Sequence, residues 1–326
     1  MPDKMNTIKI CLGFWPLIFF ACSKTSNKGN ENAVGWKPVG VHSAFYNGSG
    51  DRCAISLTNG YILLADSSLR VLEVRRAHQT GAHSSFFSLD DRYIVSGGAD
   101  KYIRIWDSNT LYPVKQRRVD FAPYTSVMGY SYFGACGEKG NVYFESFSDS
   151  QTVVRNMLDT LGAFHLFFNT DSSVVISSGF SAYEFDIKNN KVLHVYGGHK
   201  APVYCVMPNV AETRYVTASG DSMVRVFDRQ TTRLLGKSAP LDGAVYVACF
   251  NPASTYIAAS TTQGSIYFLD AKTLKVRNKI TAFSGIINTI HYSPDGKHML
   301  AGSEGGGAKI FDVETAKELY VLKTGY

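Results

Sequence analysis

His78, Ser96 and Asp100 are the residue types of a hydrolytic triad: a nucleophile, a histidine to take its proton, and a carboxylate to orient the imidazole. The trio returns further along as His199, Thr217 and Asp221. That return argues against catalysis, because a nucleophile site has no reason to be built twice, and catalysis follows from a site's geometry rather than from residue types. A repeated structural hydrogen-bond unit explains both copies. Other patterns that carry chemistry are missing. The 8 histidines contain no His-Glu-x-x-His, and the cysteines contain no Cys-x-x-Cys. The glycine run at 302–307 lacks the Lys-Ser/Thr of a phosphate-cradling loop and reads as a turn between strands. No catalytic residue, cofactor or metal is expected.

The elements that position these residues are repeats. Asp66, Asp107, Ser146, Asp186, Asp228, Asp270 and Asp312 recur at intervals of about 40 residues, the mark of a repeat architecture. FLDAKTLKV, VFDRQTTRL, IWDSNTLYP and IFDVETAKE share an apolar residue, Asp, two free positions and Thr. Each unit has four short β-prone runs separated by turn signals, as in INTIHYSPDGKHMLAGSEGGGAKIFD followed by ELYVL. Asp at the head of a turn accepts backbone N–H groups further on, so Asp-x-x-Thr is expected between the third and fourth strands. A single four-stranded sheet cannot cover both its faces, whereas seven arranged radially can. The expected fold is all-β, a seven-bladed β-propeller of four-stranded antiparallel blades over 37–326. Residues 317–323 should supply the outer strand of the last blade, and a strand near Trp36 could assist closure or replace it.

On these residues the sequence resembles the WD-repeat β-propellers, over about 38–326. The best unit runs from Ala77-His78 to Trp106-Asp107, and the next from Gly198-His199 to Phe227-Asp228. Blades one and three are poor, with Ala65-Asp66 and Glu145-Ser146 in the Trp-Asp place. The resemblance implies that His78, Ser96, Asp100 and Trp106 form a buried tetrad tying the strands of a blade together. His199, Thr217 and Asp221 would repeat it, with Phe227 unable to donate. Blades six and seven have Gln263 and Ala259, Gly305 and Ala301 at the Asp and Ser places, and must rely on packing. In this family the residue four before the Phe or Tyr of the Phe-Ser-Pro-like turn faces the top of the central channel and contacts partners. Here those residues are His42, His83, Phe164, Tyr204, Tyr246 and Asn288, with Pro202 and Ile286 two positions before Tyr204 and Asn288. Blade three is too short to align. Packing against neighbouring blades or filling the channel mouth is the alternative role for all of them.

The front of the chain, MPDKMNTIKICLGFWPLIFFAC, has a short basic region and then an apolar run too short to span a bilayer. It reads as a signal peptide over 1–21. Phe19-Phe20-Ala21-Cys22 resembles the bacterial lipoprotein lipobox, which makes Cys22 the expected acylation site of an exported, membrane-anchored lipoprotein facing the periplasm or the cell exterior. Residues 22–36 are polar and linker-like. The remaining Cys53, Cys136, Cys205 and Cys249 are expected to be free and buried.

The chain has 326 residues, 45% hydrophobic and 18% charged, an ordinary globular composition. Its net charge of +6 is too dispersed for a nucleic-acid footprint. Arg75, Arg76, Arg117, Arg118, Lys275, Arg277 and Lys279 gather on the expected outer strands, where they blunt sheet edges or meet anionic headgroups. Two function classes follow. The first is a non-enzymatic platform, monomeric alone, binding a protein or peptide over its top face. The second is a propeller enzyme at the central channel, of the metal-dependent lactonase or quinone-cofactor dehydrogenase type. The second needs acidic metal ligands, and the aligned mouth positions supply none.

Overall fold

The computed structural model describes residues 39–156 and 161–322. The signal peptide, Cys22, the linker and Trp36 lie outside the described residues. Those described form seven four-stranded antiparallel sheets, each built from consecutive strands in chain order. The blades begin with the inner strands Val41–Tyr46, Ala82–Phe87, Pro123–Met128, Ala163–Phe168, Val203–Pro208, Val245–Phe250 and Ile287–Tyr292. Each inner strand touches the next, and the seventh touches the first, which closes the ring. Among the described residues, closure uses no exchanged strand. Blade seven is completed by Glu318–Leu322, paired with Gly307–Asp312, as expected from its sequence.

Burial follows position within a blade. Second and third strands are covered on both faces by neighbouring blades, so Arg52–Leu57 (RCAISL) and Tyr61–Asp66 (YILLAD) are near-continuous apolar runs. The outer strand Val71–Arg76 (VLEVRR) is half-buried at best, with charge on its edge. The recurrent aspartates and Ser146 each end a third strand. Asp107 Oδ1 accepts the N–H groups of Asn109 and Thr110 at 3.0 Å and the Thr110 hydroxyl at 2.8 Å. Asp312 does the same with Thr315 at 2.7 and 2.6 Å. The residue after each Thr is left-handed without being glycine: Leu111 has φ 51° and Leu274 φ 56°. Their side chains are buried, and that packing offsets an unfavourable backbone.

In blades three and four, which lack the tetrad, a buried carboxylate pairs with cations of a neighbouring blade. Glu145 occupies the place that Trp106 holds in blade two, and its side chain is fully buried. It accepts Arg117 Nε and Nη2 at 2.6 Å and the Tyr143 hydroxyl at 2.6 Å. Lys115 Nζ lies 2.8 Å away. Lys115 and Arg117 come from the outer strand of blade two, Pro113–Arg118, so the cluster spans two blades. Glu184 of blade four similarly accepts Arg229 Nη2 at 2.6 Å, reaching blade five. The four cysteines are free and buried.

Candidate functional site

Every inner strand carries a β-bulge at its second residue, where the register with the second strand shifts. A bulge re-aims the side chain it carries. The seven bulged residues are His42, His83, Tyr124, Phe164, Tyr204, Tyr246 and Asn288. Six of the seven were expected from the sequence. Tyr124 escaped because blade three has Met128 where the other blades have an aromatic or proline, and counting back from it was unsafe.

These side chains form a collar. Ring centroids lie 5.4 Å apart for His42–His83, 5.9 Å for His83–Tyr124, 6.2 Å for the stacked Tyr124–Phe164, 5.5 Å for Phe164–Tyr204 and 4.9 Å for Tyr204–Tyr246. The collar has two halves. In blades seven, one and two the bulged side chain bonds the first residue of the next inner strand. Asn288 Nδ2 donates to Val41 O at 3.0 Å, His42 Nδ1 to Ala82 O at 2.9 Å, and His83 Nδ1 to Pro123 O at 2.8 Å. Donation through Nδ1 fits neutral imidazoles. Burial pushes both pKa values down, that of His83 to about 3. In blades three to six the bulged residues are aromatic and stack on one another. His42, His83 and Asn288 therefore carry blade-to-blade packing, and the aromatic arc is Tyr124, Phe164, Tyr204 and Tyr246.

Pro202 and Ile286 sit one residue before the inner strands of blades five and seven, half-buried. Their carbonyls accept the N–H groups of Gly220 at 2.9 Å and Glu304 at 3.3 Å. Glu304, unforeseen from the sequence, is half-buried beside the collar. Its carboxyl makes no ion pair among the described residues, and burial raises its pKa. Phe180, also unforeseen, is 45% exposed in a turn whose Gly179 carbonyl bonds Val203 N at 2.7 Å, which brings it beside Pro202. Neither lies on the repeated strand pattern, so periodicity offered no signal for them.

Below the collar, aromatic side chains of the inner strands pack together. Phe45 and Phe86 lie 4.0 Å apart, and Phe45 and His291 4.9 Å. Phe45, Phe86 and Phe167, fifth residues of their inner strands, join a cluster with Met207 and Cys249 from the other side of the ring. His165 and His291 border this cluster, and burial lowers the pKa of each to about 4. The described residues bring no three His, Cys, Asp or Glu side chains together as a metal-binding group.

The tetrad residues of blade two lie within hydrogen-bond distance of one another. His78 Nδ1 lies 2.7 Å from Asp100 Oδ1, and His78 Nε2 lies 2.9 Å from Ser96 Oγ. Trp106 Nε1 donates to Ser96 Oγ at 2.9 Å. In blade five His199 Nε2 meets Thr217 Oγ1 at 2.8 Å and Nδ1 meets Asp221 Oδ2 at 3.0 Å. Ser96 and Thr217 are fully buried, so neither hydroxyl can reach a substrate. A Cβ at Gly98 would stand 2.4 Å from the His78 ring, so only glycine admits the imidazole there. Sequence reasoning missed a fifth member. Arg104 Nη1 donates to Asp100 Oδ2 at 2.8 Å, and Arg225 Nη1 to Asp221 Oδ2 at 2.7 Å. The shared Asp-x-x-x-Arg of the two blades was the available signal. Burial opposes charge on Asp221, but bonds from Arg225, Lys200 N and His199 outweigh it and hold the carboxyl at about 2. Asp100 is held well below the ordinary range in the same way, by His78 and Arg104.

Comparison with known proteins agrees with this geometry. The model for the WD domain, G-beta repeat, matches residues 68–107, 190–228 and 275–312. Each match takes the outer strand of one blade and the first three strands of the next. Among curated relatives, the serine-threonine kinase receptor-associated protein of Gallus gallus is 24% identical over 167 residues, 49% of this chain and 45% of that protein. The protein of the same name from Mus musculus is 22% identical over 166 residues, 49% of this chain and 46% of its own. The chain spans about half the length of the curated relatives it matches. It is a seven-bladed β-propeller with WD40 repeats at three places, ending in its second, fifth and seventh blades.

Proposed function

We propose that this propeller is a non-enzymatic interaction platform that docks a protein or peptide over the mouth of its channel, on the arc of Tyr124, Phe164, Tyr204 and Tyr246. WD40 propellers typically bind protein partners. The observation that carries the reading here is the arc itself. Four aromatic side chains stand side by side on bulged positions, above packed aromatic side chains, flanked by Pro202, Ile286 and the exposed Phe180. Large rigid aromatics lose little entropy on binding and dominate interface energetics. His42, His83 and Asn288 hold the arc's other side in place and belong to the surface as its rim. Glu304 adds a carboxylate, which favours a basic or apolar partner surface over an acidic one. The channel-enzyme alternative finds weaker support: the mouth supplies two histidines whose Nδ1 atoms are tied to backbone carbonyls, and the space beneath is packed with phenylalanine.

The test is partner retention. The Tyr204→Ala/Tyr246→Ala variant should lose a partner captured by the wild-type chain from its native membrane extract after crosslinking. The loss should be on the order of 2 kcal/mol or more in affinity, with melting little changed. Retained affinity would return the tyrosines to a packing role.

The proposal extends to location. Acylation at Cys22 after removal of residues 1–21 would tether the platform to a membrane through the 22–36 linker, on the periplasmic or outer face. The support for it is the sequence alone: an apolar run that stops at Ala21-Cys22.

A further inference from the structure

The basic residues of the outer strands differ in their partners. Arg117 pairs with Glu145, Arg277 with Asp270 and Lys279 with Asp242. Arg75 and Arg76 end the outer strand of blade one, are exposed, and form no ion pair among the described residues. Each is instead steadied by a backbone oxygen: Arg75 Nη2 donates to Thr110 O and Arg76 Nη2 to Gln79 O, both at 3.3 Å.

The two arginines form one wall of a groove of about 480 Å³ between blades one and two. The remaining lining is Arg104, Trp106, Pro113, Val114, Lys115 and Gln116, with no carboxylate among it. Arg104 and Lys115 already answer Asp100 and Glu145. The charge left to meet a ligand is therefore that of Arg75 and Arg76.

We propose that this groove binds an acidic peptide segment, with carboxylates on Arg75 and Arg76 and an apolar side chain on the floor of Trp106, Pro113 and Val114. Guanidinium forks match carboxylates in bidentate geometry, which lysine cannot do. Arginines already steadied by backbone oxygens lose less freedom on binding. Among the described residues the outer edge of Val71–Arg76 has no neighbouring strand, so an extended segment can add backbone bonds to it. A bilayer surface is flat and does not enter a recess between blades. Nucleic acid calls for a longer basic track than two free cations. The groove is on the rim, away from the collar, and does not depend on the channel-mouth reading.

The probe is an acetylated, amidated Glu-Glu-Leu-Glu-Glu peptide, titrated calorimetrically into the full chain, with Lys-Lys-Leu-Lys-Lys as its counterpart. The acidic peptide should bind and the basic one should not, and added salt should weaken the binding. Arg75→Ala/Arg76→Ala should raise Kd about tenfold or more. Arg75→Lys/Arg76→Lys should lose an intermediate amount, because charge stays while the fork goes. Tyr204→Ala/Tyr246→Ala should bind the acidic peptide as the wild type does, which separates this site from the mouth. Three results would overturn the proposal: no binding at millimolar peptide, equal binding by the Arg75→Ala/Arg76→Ala variant, or binding that anionic phosphatidylglycerol vesicles or duplex DNA reproduce without any preference for the peptide.

Discussion

Replacing Glu145 tests how a blade without the tetrad is held. Its fully buried carboxylate faces four donors within 2.8 Å, three of them charged. Breaking a buried pair by removing one partner costs about 3–5 kcal/mol when the other charge stays buried. Here Arg117 and Lys115 are 42% and 32% exposed, so both can turn towards water, which lowers the cost. Linkage gives a second bound. Burial alone would raise the pKa of Glu145, but bonds from Arg117, Lys115 and Tyr143 hold it at about 2. Against an ordinary value near 4.5 that shift is worth at most about 3 kcal/mol at neutral pH. Both routes meet at about 2–3 kcal/mol for Glu145→Ala and about 1–2 for Glu145→Gln. Urea denaturation at pH 7 measures this. A depressed carboxyl pKa means that stability is fully present above the unfolded value and is lost as pH falls through the folded one. The deficit of Glu145→Gln should therefore shrink from pH 5 towards pH 2, as the wild type loses the same charge. A Glu145→Gln protein as stable as wild type at pH 7, or a deficit unchanged between pH 7 and pH 3, would refute the reasoning.

Other outcomes follow from the same structure. Asp100→Ala removes the carboxylate that pairs both His78 Nδ1 and Arg104 in a buried site and should cost about 1–3 kcal/mol; hydrolase activity that vanishes in Ser96→Ala with melting unchanged would instead point to catalysis. His165 and His291 have pKa values lowered by burial to about 4, so the unfolded chain binds more protons below pH 6.5. Stability should fall between pH 6.5 and pH 4, by on the order of 2 kcal/mol per histidine at pH 5. His165→Leu, which removes a buried Nδ1 with no partner, should flatten that slope, and parallel profiles for variant and wild type would count against the assignment. Cys22→Ser should abolish acyl labelling and leave unprocessed precursor; acylation at another residue would remove the tether.

The repeat made the fold legible, and the reason is physical. Seven blades need the same turn between third and fourth strands, and a turn needs particular side chains, so Asp-x-x-Thr recurs even where blade cores diverge. The tetrad was readable for the same reason: it is a set of local partners at fixed offsets. What stayed hidden answers to neighbouring blades rather than to the repeat. Glu145 looked like a damaged Trp-Asp, because its partners Lys115 and Arg117 lie on a different blade and charge is read along the chain, not across a groove. Glu304 and Phe180 sit in turns that carry no periodic signal. The halves of the collar were also invisible, since residue type does not tell whether a side chain reaches a neighbour's carbonyl or its ring.

Those halves bear on how a ring with no exchanged strand among the described residues stays shut. The blade seven to blade one seam lacks a covalent link, so it depends on side chains that cross it. Asn288 bonds Val41 O, Thr289 Oγ1 bonds Ala44 O at 3.2 Å, and Tyr46 N donates to His291 Nδ1 at 3.4 Å. The next two junctions repeat the polar latch through His42 and His83, even though the chain already joins those blades. Around the other side, where the chain itself joins the blades, the bulged positions carry aromatics that stack on one another. Directional bonds cross other junctions too: Thr125 Oγ1 donates to Phe164 O at 2.9 Å, and Arg229 donates to Glu184 at 2.6 Å. The four aromatics form a contiguous row in which Phe164 is buried and the three tyrosines are half-buried. A bulge kept in all seven inner strands serves both ends: it aims the latch on one side of the ring and the aromatic arc on the other.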